Sequence, residues 1–178
     1  MKLSVYYVDA FTDKLFSGNP AAVIFSDLTD TLTMQNIAAE NNLSETAFIR
    51  EEGGIYYIRW FAPSCEIDLC GHATLASAYT YFNFINPGST EFEVHSKKNG
   101  SLKVTLENDF LYLDFPSDSI TPLNADLIEK IIGIEPFEIY QGRDDILAIV
   151  NSETIVRNLE IDFELLKKIN VRGLIVSA

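Results

Sequence analysis

Apolar and polar residues alternate in short stretches throughout the chain before Pro116. Alternation with a period of two is typical of a strand that buries one face. Turn residues bound these stretches, and Gly53-Gly54 and Asn99-Gly100 are hairpin turn sequences. The pattern predicts strands at residues 3–11, 21–25, 46–51, 55–61, 91–96, 101–107 and 110–115.

A period close to 3.6 residues appears in residues 33–41 and predicts a first helix. Three apolar residues share one face of this segment: Met34, Ile37 and Ala38. Thr31 or Thr33 is the expected N-cap, because a threonine hydroxyl accepts a hydrogen bond from a backbone N–H group of the first turn. The segment is therefore predicted to be a short amphipathic helix.

A second helix is predicted within residues 71–90, a run that contains no Asp, Glu, Lys or Arg. It begins at Gly71 or His72 and extends to about Phe84. Apolar side chains surround most of its circumference: Ala73, Leu75, Ala76, Ala78, Tyr79, Phe82 and Phe84. This pattern is typical of a helix buried on all sides. We therefore predict an α+β domain in which a strongly curved sheet or barrel wraps around this central helix.

The residues after Pro116 predict a second, smaller unit. Proline ends strand pairing, so we expect a complete domain at residues 1–116 and a separate unit at residues 117–178. The second unit is predicted to contain helices at 125–132 and 163–169 and strands at 137–141, 146–151 and 174–177. It has no second uncharged helix, and it ends soon after an apolar strand begins. We therefore expect it to be incomplete.

Composition and charge exclude several classes of function. A chain of 178 residues with 47% hydrophobic residues has enough apolar material for a globular core. A formal net charge of −13 argues against nucleic acid and anionic membranes as partners, since both require clustered Lys and Arg. An anionic small molecule would have to be held by local donors instead.

Targeting signals and metal motifs are also not expected. Met1 and Lys2 lead directly into a strand pattern without a signal peptide, which predicts a cytoplasmic protein. Two cysteines are too few for a disulfide framework, and with only two histidines a zinc site of the usual ligand spacing is not expected. No metal or cofactor is predicted.

The start of the uncharged helix is the first candidate for chemistry. Its free backbone N–H groups and helix dipole favour an anion such as a substrate carboxylate. His72 lies at this end and is either a capping or packing residue, or a neutral proton donor that polarises a substrate. For Cys70 the alternatives are a thiolate favoured by the helix end and a small buried hydrophobic residue.

Glu45 is the second candidate, since it begins a strand directly after a helix. It is either a solvated carboxylate or, if the strand brings it beside the start of the uncharged helix, a general base. Other polar residues have simpler interpretations. Asp68 and Glu66 are typical of a solvated edge, His95 of a solvent-facing strand position, and Cys65 of a structural role.

Four segments in this order and spacing resemble the PhzF-like family of phenazine-biosynthesis isomerases. They are Val-Asp-Ala-Phe-Thr at residues 8–12, Gly-Asn-Pro-Ala-Ala-Val at 18–23, Asn-Leu-Ser-Glu-Thr at 42–46 and Leu-Cys-Gly-His-Ala-Thr at 69–74. The resemblance implies a diaminopimelate epimerase-like fold. Such a fold has two similar units, each a curved sheet around a central helix, with the active site between them.

The resemblance also implies a reaction, which is a proton shift on a small substrate that bears a carboxylate, without metal or cofactor. The best-known member acts on a dihydro-hydroxyanthranilate. Glu45 would be the acid/base, and His72, Ser44 and the Gly71 backbone would bind or polarise the substrate. Asn19 is a further candidate for substrate binding. Cys70 falls where the epimerase relatives keep a catalytic thiol, but family members without a thiol at this position still isomerise, so Cys70 is a second-choice base.

The sequence departs from the family pattern at its C-terminal end. The family's Glu-Asp-Pro-x-Thr-Gly-Ser-Ala-His segment and its second central helix do not occur before Ala178. The expected alternatives are therefore a proton-shifting isomerase, a catalytically inactive truncated relative, or a small-molecule binding protein. Apolar surface left uncovered by an incomplete unit favours a homodimer or a larger assembly.

Overall fold

The computed structural model of the protein describes residues 2–14, 16–124 and 126–178. The chain divides into two compact units, Met1–Pro116 and Ser117–Ala178. In the part described, no helix is long and apolar enough to cross a membrane.

The first unit is built on one sheet of eight strands. The strands are β1 (Tyr6–Ala10), β2 (Asn19–Phe25), β3 (Glu45–Glu52), β4 (Ile55–Phe61), β5 (Glu66–Ile67), β6 (Glu91–Ser96), β7 (Gly100–Glu107) and β8 (Phe110–Asp114). Their order is β1-β2-β3-β4-β6-β7-β8, and the short β5 pairs with β4. The β2–β3 and β4–β6 pairs are parallel, whereas the other neighbours are antiparallel.

The strands form where the alternating pattern predicts them, with small shifts at their ends. The first strand begins at Tyr6 rather than at residue 3, because Leu3 and Val5 pack in a second apolar cluster instead of pairing in the sheet. Asn19 and Glu45 extend their strands by pairing with Ala10 and Ala21. The pattern did not predict β5, since two residues are too few to show a period.

The sheet curls around the helix α2, Gly71–Thr80. The two end strands of the sheet, β1 and β8, both contact α2, as do β2 and β3. A flat sheet of this width could not bring both ends to one helix, so the contacts require strong curvature. The predicted α+β fold with a curved sheet around a central helix is confirmed.

Small side chains let the sheet approach α2 closely. Ala73, Ala76 and Ala78 are no more than 1% exposed. The helix also buries three hydroxyl groups, and each donates to the carbonyl oxygen four residues earlier: Thr74 to Cys70, Ser77 to Ala73 and Thr80 to Ala76. These bonds satisfy polar groups that would otherwise be costly to bury.

The prediction that this helix is buried on all sides is wrong for two residues. Tyr79 is 46% exposed and Phe84 is 55% exposed, because the sheet encloses only part of the helix circumference. The α-helix also ends earlier than residue 84. It continues from Thr80 as a π-helical turn, Tyr81–Ile85, in which the Asn86 N–H donates to the Tyr81 carbonyl oxygen.

Helix α1, Thr31–Asn41, covers the opposite face of the sheet. Met34 and Ala38 pack there in the apolar cluster that also holds Phe48. Asp30 is the N-cap, and its Oδ2 accepts from the Thr33 N–H at 2.9 Å. The expected capping by Thr31 or Thr33 is therefore wrong, because the helix begins two residues earlier than its apolar period and a carboxylate precedes it.

Among its described residues, the second unit has a four-stranded sheet and three short helices. Its strands are β9 (Thr121–Pro122), β10 (Glu138–Gln141), β11 (Asp145–Ile149) and β12 (Gly173–Ser177), in the order β12-β11-β10-β9. Its helices are α3 (Asp126–Ile132), α4 (Glu153–Arg157) and α5 (Phe163–Leu166). The buried core of this unit consists of residues from α3, from β11 and from the position directly after β11. They are Ile128, Ile131, Ile132, Ile146, Ala148 and Val150.

Two helix predictions in this unit need correction. The helix at 163–169 ends at Leu166, and the short helix α4 was not predicted. The predicted first residue of α3, Ala125, lies outside the described residues.

Candidate active site

The end of α1 determines where Glu45 lies. The helix ends at Asn41, and the C-cap residue Asn42 adopts a left-handed conformation with φ 50° and ψ 36° and donates its N–H to the Ala38 carbonyl oxygen. Asparagine tolerates this conformation better than most residues do. The chain then enters β3, whose first residue, Glu45, pairs with Ala21 of the parallel strand β2.

Two polar contacts fix the segment before Glu45. The Asn41 side chain accepts from the Tyr7 hydroxyl at 3.2 Å and donates to Thr46 Oγ1 at 3.1 Å. Thr46 is buried, so its hydroxyl needs such a partner. No sequence signal identified Tyr7 or Asn41, whereas Thr46 is the last residue of the Asn-Leu-Ser-Glu-Thr segment at residues 42–46, which links it to Glu45.

Asn19 and Ser44 lie together at the starts of β2 and β3. The Ser44 hydroxyl donates to Asn19 Oδ1 at 3.3 Å. The preceding residue, Gly18, has φ +79°, and a Cβ atom there would lie 2.2 Å from the Ala10 carbonyl oxygen. Only glycine can occupy this turn, which sets the position of Asn19.

The N-terminus of α2 provides the second half of the site. Cys70 is the N-cap residue and Gly71 is the first helical residue. The Cys70 side chain makes no capping hydrogen bond to the first turn. The helix dipole and the first-turn N–H groups favour negative charge at this end of the helix, either on a ligand or on the Cys70 sulfur.

His72 faces Glu45 across this end of the helix. Its Nε2 lies 3.2 Å from Glu45 Oε2, and the two side chains are 9% and 18% exposed. Within the described residues Nε2 has no aligned hydrogen-bond partner, so this contact is close without being a formed hydrogen bond. Burial lowers the pKa of His72, and Glu45 and the Pro20 carbonyl oxygen only partly offset that effect. Burial therefore favours the neutral form of the imidazole.

Cys70 completes the cluster, with its Sγ 3.4 Å from His72 Nδ1. Burial raises the pKa of the Cys70 thiol to about 12, and the nearby Glu45 carboxylate adds to the effect. Backbone N–H groups of Ala73 and His72 act in the opposite direction but are weaker than burial. Burial therefore favours the protonated thiol over the thiolate that the helix end would stabilise.

Alkylation should distinguish the two cysteines. Cys65 is exposed, whereas Cys70 is buried and protonated at neutral pH. We expect iodoacetamide at pH 8 to modify Cys65 in the native protein and to leave Cys70 intact, because only an accessible thiolate reacts. Peptide mass spectrometry measures both sites, and Cys65→Ser is the control. Equal labelling of the two thiols would contradict the buried position of Cys70.

Stability should depend on pH through His72. Its pKa is lower in the folded protein than in the unfolded chain, so the unfolded chain binds more protons as pH falls below about 6.5. This contribution to the free energy of unfolding is complete above that pH and is lost as pH falls through the folded pKa. We expect chemical denaturation between pH 7.5 and pH 5 to show a smaller loss of stability in His72→Gln. If the free energy of unfolding changed equally with pH in wild type and His72→Gln, the lowered pKa assigned to His72 would be contradicted.

The other titratable candidates do not join this cluster. Asp68 pairs with Lys98 at 2.7 Å, and Glu66 pairs with Arg59 at 2.7 Å. His95 lies 3.7 Å from Glu93 on an exposed part of β6. The structural role expected for Cys65 is wrong, since its side chain is exposed.

Comparison with known proteins places these features in a family. The family model described as phenazine biosynthesis-like protein matches residues 8–178. An uncharacterized isomerase of Pseudomonas aeruginosa is 42% identical over 181 residues, which cover 100% of this chain and 69% of that protein. A phenazine biosynthesis-like domain-containing protein of Homo sapiens is 41% identical over 142 residues, covering 74% of this chain and 49% of that protein.

Solved structures agree with the sequence relatives. The crystal structure of a PhzF-family phenazine biosynthesis protein from Enterococcus faecalis superposes with a TM-score of 0.87 at 41% identity. The alignment covers 99% of this chain and 68% of that one. A predicted epimerase from Pseudomonas aeruginosa shares the fold, with a TM-score of 0.72 at 16% identity. The chain therefore belongs to the PhzF-like family of phenazine biosynthesis-like isomerases.

Proposed function

We propose that the protein catalyses a cofactor-independent isomerisation in which Glu45 moves a proton on a small substrate that carries a carboxylate. The observation that carries this proposal is the 3.2 Å approach of Glu45 to His72 at the N-terminus of α2. It joins a proton acceptor, a neutral imidazole and an anion-binding helix end in one small region. General acid–base catalysis requires these groups within reach of one substrate.

Each group has a distinct part in the proposed reaction. The substrate carboxylate binds the first-turn N–H groups of α2 near Gly71, beside Ser44 and Asn19. Glu45 takes a proton from an acidic C–H group and returns it to another carbon, so no proton is gained or lost overall. The neutral imidazole of His72 donates an N–H hydrogen bond to the negative charge that develops on the substrate.

The test is solvent deuterium exchange. Wild-type protein in deuterated water would be incubated with a dihydro-hydroxyanthranilate and with a panel of small carboxylates that have an acidic C–H group. NMR then measures deuterium incorporation into each compound. Exchange into at least one compound is the expected result. Saturable binding without exchange would instead favour the alternative of a binding protein without turnover.

We also propose that residues 1–116 form a complete domain that carries the candidate site. The unit Met1–Pro116 is compact and has its own core, as expected of a domain that is complete at residues 1–116. Every site residue named above lies in this unit. Self-association and a cytoplasmic location stay predictions.

A further inference from the structure

We propose that Glu45, Cys70 and His72 also form a binding site for a thiophilic divalent cation such as Zn²⁺, and that occupation of this site blocks proton transfer by Glu45. The ligand atoms offered by the three residues lie within 4.8 Å of one another. A carboxylate, a thiolate and an imidazole are a ligand set that zinc accepts in proteins. Three protein ligands leave a fourth position for water.

Two contacts in the cluster each have the spacing of neighbouring zinc ligands, but they involve different ring nitrogens of His72. Zinc bond lengths of about 2.0–2.3 Å place neighbouring ligand atoms about 3.4–3.6 Å apart. In the structure Cys70 Sγ lies 3.4 Å from His72 Nδ1, and Glu45 Oε2 lies 3.2 Å from His72 Nε2. One ion uses only one ring nitrogen, so a rotation of the Glu45 or Cys70 side chain must bring the third ligand into place.

The second observation is the polar atom of His72 that lacks a partner. Nε2 is buried, in a side chain that is only 9% exposed, and among the described residues nothing is aligned to bond it. When the ring proton is on Nδ1, Nε2 carries a lone pair and lies 3.2 Å from the Glu45 carboxylate. Two electron-rich atoms this close together are stabilised by a cation that both of them contact.

The charge balance also favours a divalent ion. Cys70 releases its proton to solvent as the sulfur–metal bond forms, so the thiolate and the Glu45 carboxylate together neutralise two positive charges. Backbone N–H groups of Ala73 and His72 stabilise the thiolate. The net charge of −13 on the whole chain attracts cations and raises their local concentration.

A cobalt titration tests the site without any need for turnover. The protein would be treated with a chelator, desalted and titrated with Co²⁺, followed by Zn²⁺. We expect a thiolate-to-cobalt charge-transfer band in the near ultraviolet, together with visible bands of a tetrahedral ion, and we expect zinc to remove both. Cys65→Ser is the matched control and should retain the spectrum, because that cysteine lies outside the cluster.

The variants decide the assignment. Cys70→Ser should lose the charge-transfer band, and His72→Gln should weaken cobalt binding at least tenfold, while far-ultraviolet circular dichroism checks that each variant is folded. A missing band in wild type, or a band that persists in Cys70→Ser, would overturn the proposal. The predicted inhibition of deuterium exchange by Zn²⁺ rests on the proposed function, whereas the cobalt spectrum does not. A failure of the metal site and a failure of the proposed function can therefore be distinguished.

Discussion

Glu45→Gln is expected to reduce solvent deuterium exchange by about 100-fold to 10,000-fold, the usual contribution of a general acid–base group. Glutamine has nearly the same shape as glutamate but cannot accept a proton from carbon. The substituted amide can still contact His72 and fill the same volume, so the fold should be kept. The NMR exchange assay with the best compound from the wild-type screen measures the effect.

The controls for this prediction separate chemistry from structure. Glu40→Gln removes an exposed carboxylate of α1 and should leave exchange unchanged. If His72 polarises the substrate, His72→Gln should lower exchange less than Glu45→Gln does, because glutamine can still donate a hydrogen bond. Equal rates of deuterium exchange in wild type and Glu45→Gln would show that Glu45 is not the acid/base. This conclusion does not depend on the result of the cobalt titration.

The sequence alone was sufficient to predict the centre of this fold. An uncharged run with apolar residues on most of its faces requires a surrounding layer, and the short alternating strands were the only elements available to supply it. The same reasoning placed an anion-binding helix end at Gly71. The distance between this helix end and Glu45 could not be predicted. It depends on which strands pair with each other on either side of α1, and a local period of apolar residues does not show strand pairing.

The strand–helix–strand order of β2, α1 and β3 contained part of the missing information. Such an order is typical of a parallel crossover, in which the two strands lie side by side. The observed pairing of Ala21 with Glu45 follows that rule. Reading the crossover from the sequence would have placed Glu45 beside the Gly18-Asn19 turn before any coordinates were known.

Side-chain environments were harder to predict than elements. The state of Cys70 depends on competition between the helix end and burial, and only the packed structure shows that burial dominates. The exposure of Tyr79 and Phe84 likewise depends on how far the sheet closes around α2. A sequence pattern identifies which residues are apolar, but the closure of a sheet is set by many long-range contacts at once.

The metal site illustrates the same limit. A search for standard zinc spacing in the sequence fails, because Cys70 and His72 are two residues apart and Glu45 comes from another strand. Folding brings the three ligand atoms together at the end of α2. Sites assembled from distant segments are visible only after the topology is known.

Ala76→Asp is expected to destabilise the first unit by about 4 kcal/mol or more, which is comparable with the whole stability of many domains. Ala76 is 1% exposed at the centre of α2, in the core cluster that includes Val23, Trp60 and Val94. An aspartate there would be an unpaired charge in apolar surroundings, and it would also exceed the available volume. Yield of soluble protein and thermal unfolding by circular dichroism measure the loss.

Tyr79→Asp provides the matched control, because it places the same residue in the same helix at a position that is 46% exposed. Replacing alanine costs about 0.5 kcal/mol more helix propensity than replacing tyrosine, so a difference between the variants well beyond that amount reports burial. We expect Tyr79→Asp to cost about 1–2 kcal/mol, chiefly from the lost part of the aromatic contact. If the two variants melt at the same temperature, α2 is not enclosed by the sheet, and the helix end that positions His72 and Cys70 against Glu45 cannot be as described.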